Sequence, residues 1–189
     1  MGYTLEQVER LIKEINRVHE WFSREYFEIH GGEKIKLKQT ISHIPEAAIF
    51  RYRLHLHESI NDYLYKTDLD DVKYYYRVKT AESLAYKIEK FKNREEKYPV
   101  NKWLNDIFGC RIILDGGLIR NLLDNLDKWE EQYGLKNWYF REAEGYRGIH
   151  IYFKSQSNFY FPWELQIWDK EDAEKNIASH RLHKRSFVK

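Results

Sequence analysis

The chain has 189 residues, 42% hydrophobic, 33% charged and 16% aromatic; that suffices for one domain with a sizeable core, is short for two, and excludes a disordered or fibrous chain. Its 32 basic against 30 acidic residues leave a net charge of +2, so the chain as a whole is no polycation and only local clusters can meet a polyanion. The lone Cys110 excludes an internal disulfide and a cysteine-rich zinc site, and within an apolar run it reads as a buried thiol in a reducing compartment.

From Thr4, the residues Leu5, Val8, Leu11, Ile12, Ile15, Val18 and Phe22 recur at helical spacing, with Thr4 as N-cap and Gln7 completing a capping box. The segment HGGEKIKLKQT breaks that helix. Pro45 then opens a second one, running to about Lys66 with Ala48, Tyr52, Leu56, Ile60 and Leu64 on one side. VKYYYRV, residues 72–78, predicts a strand, and TAESLAYKIEKFKNR a helix directly after it. DIFGCRIILDGG contains a short buried strand ending at a double glycine, and LIRNLLDNLDKWEEQYG, residues 118–134, predicts one helix closed by Gly134. Three strands follow within KNWYFREA, GIHIYFK and NFYFPWELQIW, and a last helix starts from Asp169.

Helices alternating with strands, then strands in a run, argue for an α/β or α+β fold: a mixed sheet with helices packed on it. The expectation is a single domain over residues 1–189, with a helical N-terminal region at 1–68 and the rest of the fold at 70–187. No apolar stretch reaches the length of about 18 residues that a membrane helix needs. The N-terminus lacks the layout of a signal peptide, so the expected location is the cytoplasm. Three basic clusters could meet phosphate or simply be solvated: Lys34, Lys36 and Lys38; Lys87, Lys90, Lys92, Arg94 and Lys97; and Arg181, Lys184, Arg185 and Lys189.

Chemistry concentrates in four places. In RVKTAESLAYK, Arg77, Lys79, Ser83 and Lys87 straddle a strand end and a helix start, with Thr80 as N-cap and Ser83 and Lys87 one turn apart on one face. This is either a phosphate site or a salt-bridged surface helix. Asp106 precedes the strand CRIIL. In WELQIW, alternation puts Glu164, Gln166 and Trp168 on one face. Two carboxylates at adjacent strand ends suit a magnesium ion on nucleotide phosphates; the plainer alternative pairs Glu164 with a cation on an exposed face. In EGYRGIHIYF, Gly145 and Gly148 permit a sharp turn or a close approach, and Tyr146 and His150 are either ligand contacts at a strand mouth or ordinary residues.

Taken in order, RVKTAESLAYK, DIFGCR, GYRGIH and ELQIW resemble the signature of the RelA/SpoT synthetase family, which includes the small alarmone synthetases. The resemblance implies a nucleotidyltransferase-like RelA/SpoT synthetase fold with two extra N-terminal helices and a catalytic core at 70–187. It implies a pyrophosphokinase that moves the β,γ-diphosphate of ATP onto a ribose 3′-hydroxyl. Carried over by motif, Arg77 and Arg111 would sandwich the adenine of ATP, and Lys79, Ser83 and Lys87 would hold its phosphates. Asp106 and Glu164 would bind Mg2+, with Glu164 also helping to deprotonate the attacking hydroxyl. Tyr146 would stack on the acceptor base, and Arg147, His150 and Gln166 would line the acceptor side.

The chain departs from the family at ELQIWD, where the usual E-x-Q-I-R-T has a basic residue in place of Trp168 and a hydroxyl in place of Asp169. The Asn-aromatic-Trp-Ala segment that follows in many alarmone makers is absent from KEDAEKNIASH, although His180 and Lys184 resemble the family's closing histidine and lysine. No His-Asp metal motif of a hydrolase half precedes the synthetase region. These departures resemble the toxic branch, which includes enzymes that pyrophosphorylate the 3′ end of tRNA and stop translation. The expected acceptor is therefore tRNA, with GTP or GDP as the alternative, and the expected partner of a toxic member is an antitoxin. A module that keeps the fold and has lost the reaction is the competing class.

Overall fold

The structure is a computed structural model that describes residues 2–186, with side chains up to residue 179. Helix α1 (Leu5–Arg24) begins as its sequence signals: the Thr4 hydroxyl accepts from the Gln7 amide, and the Gln7 side chain accepts from the Thr4 amide. It continues into a wider π-helical turn, Glu25–Ile29, where the Tyr63 hydroxyl donates to Glu25. Helix α2 (Glu46–Leu64) starts directly after Pro45, whose missing N–H costs nothing at a helix start. Next come β1 (Tyr75–Val78), α3 (Ala81–Lys92), α4 (Val100–Trp103), β2 (Phe108–Leu114), α5 (Gly116–Leu123) and α6 (Leu126–Tyr133). The chain closes with β3 (Leu135–Ala143), β4 (Tyr146–Phe153), β5 (Trp163–Asp169) and α7 (Ala173–Ser186).

The five strands form one mixed sheet in the order β1-β2-β5-β4-β3, with β2 and β5 parallel and the other neighbours antiparallel. This is the α+β sheet with flanking helices that the sequence predicts. Helix α1 ties to the rear of the sheet through Asn16, which accepts from the Trp163 indole at 2.8 Å and donates to the Tyr133 carbonyl at 2.8 Å. Trp129, fully buried on α6, donates to Glu9 of α1 at 3.0 Å. The N-terminal helices thus share one apolar cluster with the sheet: Ile12, Tyr52, Phe108, Ile151 and Leu165 all belong to it. Cys110 is buried in that cluster, as expected. With the rear face covered, the front face is left to carry polar side chains.

The helix expected over 118–134 is two. At Asn125 the backbone turns to φ −108°, ψ 0°, its amide reaches Leu122 O at 2.9 Å, and its side chain donates to Asn121 O at 2.8 Å. Leu122, Leu126 and Trp129, spaced i, i+4 and i+7, all enter the core, so the apolar face carries on across the break. Gly134 ends α6 in the left-handed region at φ +72°, as its position suggests. Strand β5 starts at Trp163, later than the apolar run implies, because Pro162 has no N–H to give a ladder. Strand β1 is likewise shorter than its run of β-formers, and α4 has no clear sequence signal. Glu144 at φ 52° and Gly145 at φ 78° make the two-residue turn between β3 and β4, the geometry that best matches strand twist. Among the described residues, no helix is long and apolar enough to cross a membrane. His180, Arg181, Lys184, Arg185 and Lys189 lie outside the residues whose side chains are described.

Candidate active site

Strand register gathers the front face. Arg77 pairs with Gly109, Gly109 with Glu164, and Arg111 with Gln166. Across the next two interfaces Tyr152 pairs with Glu164, and His150 with both Gln166 and Tyr139. A cavity of about 360 Å3 opens over this face, lined by Arg77, Lys79, Ser83, Lys87, Asp106, Tyr146, His150, Glu164 and Gln166. These nine were singled out in the sequence from four separate segments, and the fold brings them together.

Helix α3 points its start at the cavity. The Thr80 hydroxyl accepts from the Ser83 amide at 3.2 Å, so the cap read from the sequence is in place. Lys79 and Lys87 each approach Asp106 at 2.8 Å, on opposite carboxylate oxygens. This is a half-buried knot beside a cavity, unlike a salt-bridged surface helix. Burial pushes the Asp106 carboxyl up, but the Lys87 and Lys79 ammoniums outweigh it and hold the group below its ordinary value. Burial in turn pulls the Lys79 ammonium down, an effect that Asp106 offsets only in part.

Glu164 is 3% exposed. Its Oε1 accepts from His150 Nδ1 at 2.7 Å and from the Tyr152 hydroxyl at 2.9 Å, and its Oε2 accepts from Gln166 Nε2 at 2.8 Å. Burial would raise its pKa; the hydrogen bond from His150, then the Arg77 charge and the hydrogen bond from Gln166, outweigh burial and hold the carboxyl well below the usual range. The carboxylate is therefore ionised at neutral pH and aimed by its neighbours.

Both depressed carboxyls have the same sign of linkage: the folded state binds their protons less tightly than the unfolded state does. The stability they contribute is present above the ordinary values of 3.8 and 4.5 and is lost as pH falls below them. A series of thermal melts is expected to show the midpoint dropping below about pH 4.5, and Glu164→Gln is expected to flatten that drop.

The donor set fits a magnesium ion. Arg77 Nη2 stands 4.0 Å from Asp106 Oδ2 and 3.7 Å from Glu164 Oε2, so one positive group already lies between the two carboxylates. Hard carboxylate oxygens, one from each side, are what Mg2+ takes when phosphates complete its shell.

Arg77 and Arg111 flank a second hollow, of about 50 Å3, that also borders Gly109, Glu164 and Gln166. At this size it holds little more than a water or two, so an adenine between the guanidiniums requires them to part. Arg111 donates to Gln166 Oε1 from Nε at 3.1 Å and Nη2 at 2.8 Å, and its Cζ lies 3.6 Å from the centre of the Trp168 ring. Burial, then the Arg77 charge, pull its pKa down to about 10.

At the start of β4, Tyr146 is only 5% exposed. Its hydroxyl meets His150 Nε2 at 2.8 Å and the Trp168 indole at 3.0 Å, and the Arg141 guanidinium lies over its ring at 5.5 Å. A base stacking there has to displace Arg141. Arg147 is a correction: alternation along β4 sends it to the rear face. There it pairs with Glu142 at 3.5 Å and Asp172 at 3.6 Å and lies over Phe140, beside a different hollow. It does not line the cavity that Tyr146 and His150 share.

Sequence reading missed Tyr139 and Tyr152. Tyr139, 42% exposed, stacks on His150 at 5.2 Å and 11° and lines the cavity; Tyr152 holds Glu164. Their alternation with His150 along GIHIYF and NWYF was a signal for one shared face, but the cross-strand partner could not be read without the register. Gly148 is the close approach that its sequence position suggests. A Cβ there would stand 2.7 Å from the Tyr146 hydroxyl and 3.1 Å from Trp168 Cδ1. Gly148→Ala is therefore expected to dislodge Tyr146 from His150, read as a shift of the His150 ring 15N resonances, in a protein that still melts cooperatively.

No known protein-family profile matches the chain, and no curated protein matches it in sequence. Solved structures do. A GTP pyrophosphokinase family protein from Streptococcus pneumoniae is 18% identical over 74% of this chain and 73% of its own, with a TM-score of 0.46. Small alarmone synthetase 1 from Bacillus subtilis bound to AMPCPP is 17% identical over 75% of both chains, TM-score 0.41. The same synthetase bound to its product pppGpp is 19% identical over 74% of this chain and 79% of its own, TM-score 0.38. The structural neighbours of this chain are thus GTP pyrophosphokinase family proteins and small alarmone synthetases.

Proposed function

We propose that the protein is an ATP-dependent pyrophosphokinase: the 3′-oxygen of a ribose attacks the β-phosphorus of ATP, the bond to the α-phosphate breaks, AMP leaves, and the acceptor keeps the diphosphate. The observation that carries this reading is the convergence of Arg77, Lys79 and Lys87 with Asp106 and Glu164 at one cavity. Transfer of this kind depends mainly on positioning and charge neutralisation. Lys79, Ser83 and Lys87 at the start of α3 hold the phosphates. Arg77 and Arg111 take the adenine. Asp106 and Glu164 would hold Mg2+, which when bound screens charge on the phosphates. Glu164, kept ionised, accepts the hydroxyl proton as a hydrogen bond and orients the attacking oxygen. Tyr146, His150 and Gln166 form the acceptor wall.

The acceptor is a nucleoside with a free 3′-hydroxyl. GTP or GDP is the acceptor suggested by the names of the neighbouring proteins. The 3′ end of tRNA is the second reading, favoured by Trp168: the position where the RelA/SpoT pattern has a cation holds an indole that is 1% exposed and turned onto Tyr146. On that reading the protein is a toxin that stops translation, has a neutralising antitoxin, and works in the cytoplasm. The test is to offer GTP, GDP and deacylated tRNA in parallel with magnesium and γ-labelled ATP. Label on a guanine nucleotide selects alarmone synthesis, label on tRNA selects the toxic reading, and label on none of them removes the proposal.

A further inference from the structure

The polar groups of the front face close into a ring. The Trp168 indole N–H donates to the Tyr146 hydroxyl at 3.0 Å, that hydroxyl meets His150 Nε2 at 2.8 Å, and His150 Nδ1 meets Glu164 Oε1 at 2.7 Å. From the other side, Gln166 Nε2 donates to Glu164 Oε2 at 2.8 Å, Arg111 Nη2 donates to Gln166 Oε1 at 2.8 Å, and the Arg111 guanidinium lies 3.6 Å from the centre of the Trp168 ring. The directions are consistent all round. With a neutral imidazole, the tyrosine donates to Nε2 and the histidine proton sits on Nδ1, facing the carboxylate. Two chains of donors therefore end on the two oxygens of Glu164: one starts at the Trp168 indole N–H, the other at the Arg111 guanidinium that rests on the Trp168 ring.

We infer that Trp168 is a positioning residue which closes this ring, fixing the Tyr146–His150 limb through its indole N–H and the Arg111–Gln166 limb through its ring face. An indole is suited to both tasks at once, having one donor and a π-face that attracts a guanidinium. Lysine or arginine here would give Tyr146 a donor but set a second cation against Arg111. Phenylalanine would keep the face and lose the donor. Gly148 makes the arrangement sterically feasible, since any Cβ there would press on the Tyr146 hydroxyl and on Trp168. The ring spans β2, β4 and β5, so one side chain couples the wall assigned to the donor nucleotide with the wall assigned to the acceptor. That consequence for catalysis rests on the pyrophosphokinase reading; the ring itself does not.

The experiment separates the two limbs. In Trp168→Phe, the 15N resonances of the His150 ring are expected to shift toward a mixture of tautomers. Binding of a non-hydrolysable ATP analogue by calorimetry should stay within about twofold, and kcat should fall about tenfold, the scale of one hydrogen bond. In Trp168→Leu the same His150 shift is expected, with analogue binding about tenfold weaker as Arg111 loses its platform. Unchanged His150 resonances in Trp168→Phe overturn the inference, as does a loss of analogue binding in Trp168→Phe equal to that in Trp168→Leu. Should the leucine variant fail to fold, the phenylalanine variant decides on its resonances alone. A wild-type protein with no turnover removes the proposed function, while the spectral and binding outcomes still judge the ring.

Discussion

Glu164→Gln is expected to lower transfer by a factor of about 100 to 10,000, the range that positioned acid-base and orienting groups command, while binding of ATP changes little. The amide matches the carboxylate in shape. Its oxygen can still accept from His150 and Tyr152, so the sheet loses no core packing. It cannot carry the negative charge that Arg77 faces at 3.7 Å, nor bind a hard dication beside Asp106. Its nitrogen would also confront the Gln166 amide, which now donates to Oε2 at 2.8 Å. Steady-state turnover together with calorimetric binding checks this. A variant that keeps wild-type turnover contradicts the assignment of Glu164, and one that loses ATP binding in equal measure makes the residue structural.

Asp106→Ala carries the second large effect, and it falls on stability as well as rate. Asp106 neutralises two ammoniums at 2.8 Å each, and Lys79 is the more deeply held of the two, its side chain only 10% exposed. Removing the carboxylate leaves a buried cation without its partner, which typically costs about 3–5 kcal/mol. In a chain of this size that lowers the thermal midpoint by about 6–20 degrees. Part of the loss should return when a triphosphate is added, because the phosphates supply the charge that Lys79 and Lys87 lack. Rate should not return, since one of the two carboxylates proposed to hold magnesium is gone. Denaturant titrations with and without nucleotide measure both. A midpoint that does not move, or equal rescue of stability and rate, contradicts the account.

The start of α1, the start of α2 after Pro45 and the cap of α3 were legible because each rests on local chemistry: a hydroxyl three residues before its partner, a proline at a helix entrance. The grouping of Glu164 with Gln166 and Trp168 was legible for the same reason, since period-2 alternation is a property of one strand. What was not legible depends on distant pairings. Tyr152 reaches Glu164 only because β4 and β5 pair in the register that sets the two opposite each other. The break at Asn125 leaves the helical spacing of Leu122, Leu126 and Trp129 intact, so the apolar pattern carried no sign of it. Arg147 was misassigned because it sits next to Tyr146 in a motif, and neighbours in a strand face opposite ways. The sequence also marked Trp168 as a departure without revealing its consequence, which needed Arg111 from β2 and Tyr146 from β4 at its two ends.

The central claim, transfer of a diphosphate rather than a single phosphate, has one direct measurement. Purified protein is incubated with magnesium, ATP and the acceptor that becomes labelled, and the adenine products are separated by ion-exchange chromatography. The account predicts AMP, formed mole for mole with an acceptor whose mass has risen by one diphosphate. ADP as the nucleotide product, with the acceptor gaining one phosphate or none, would contradict it.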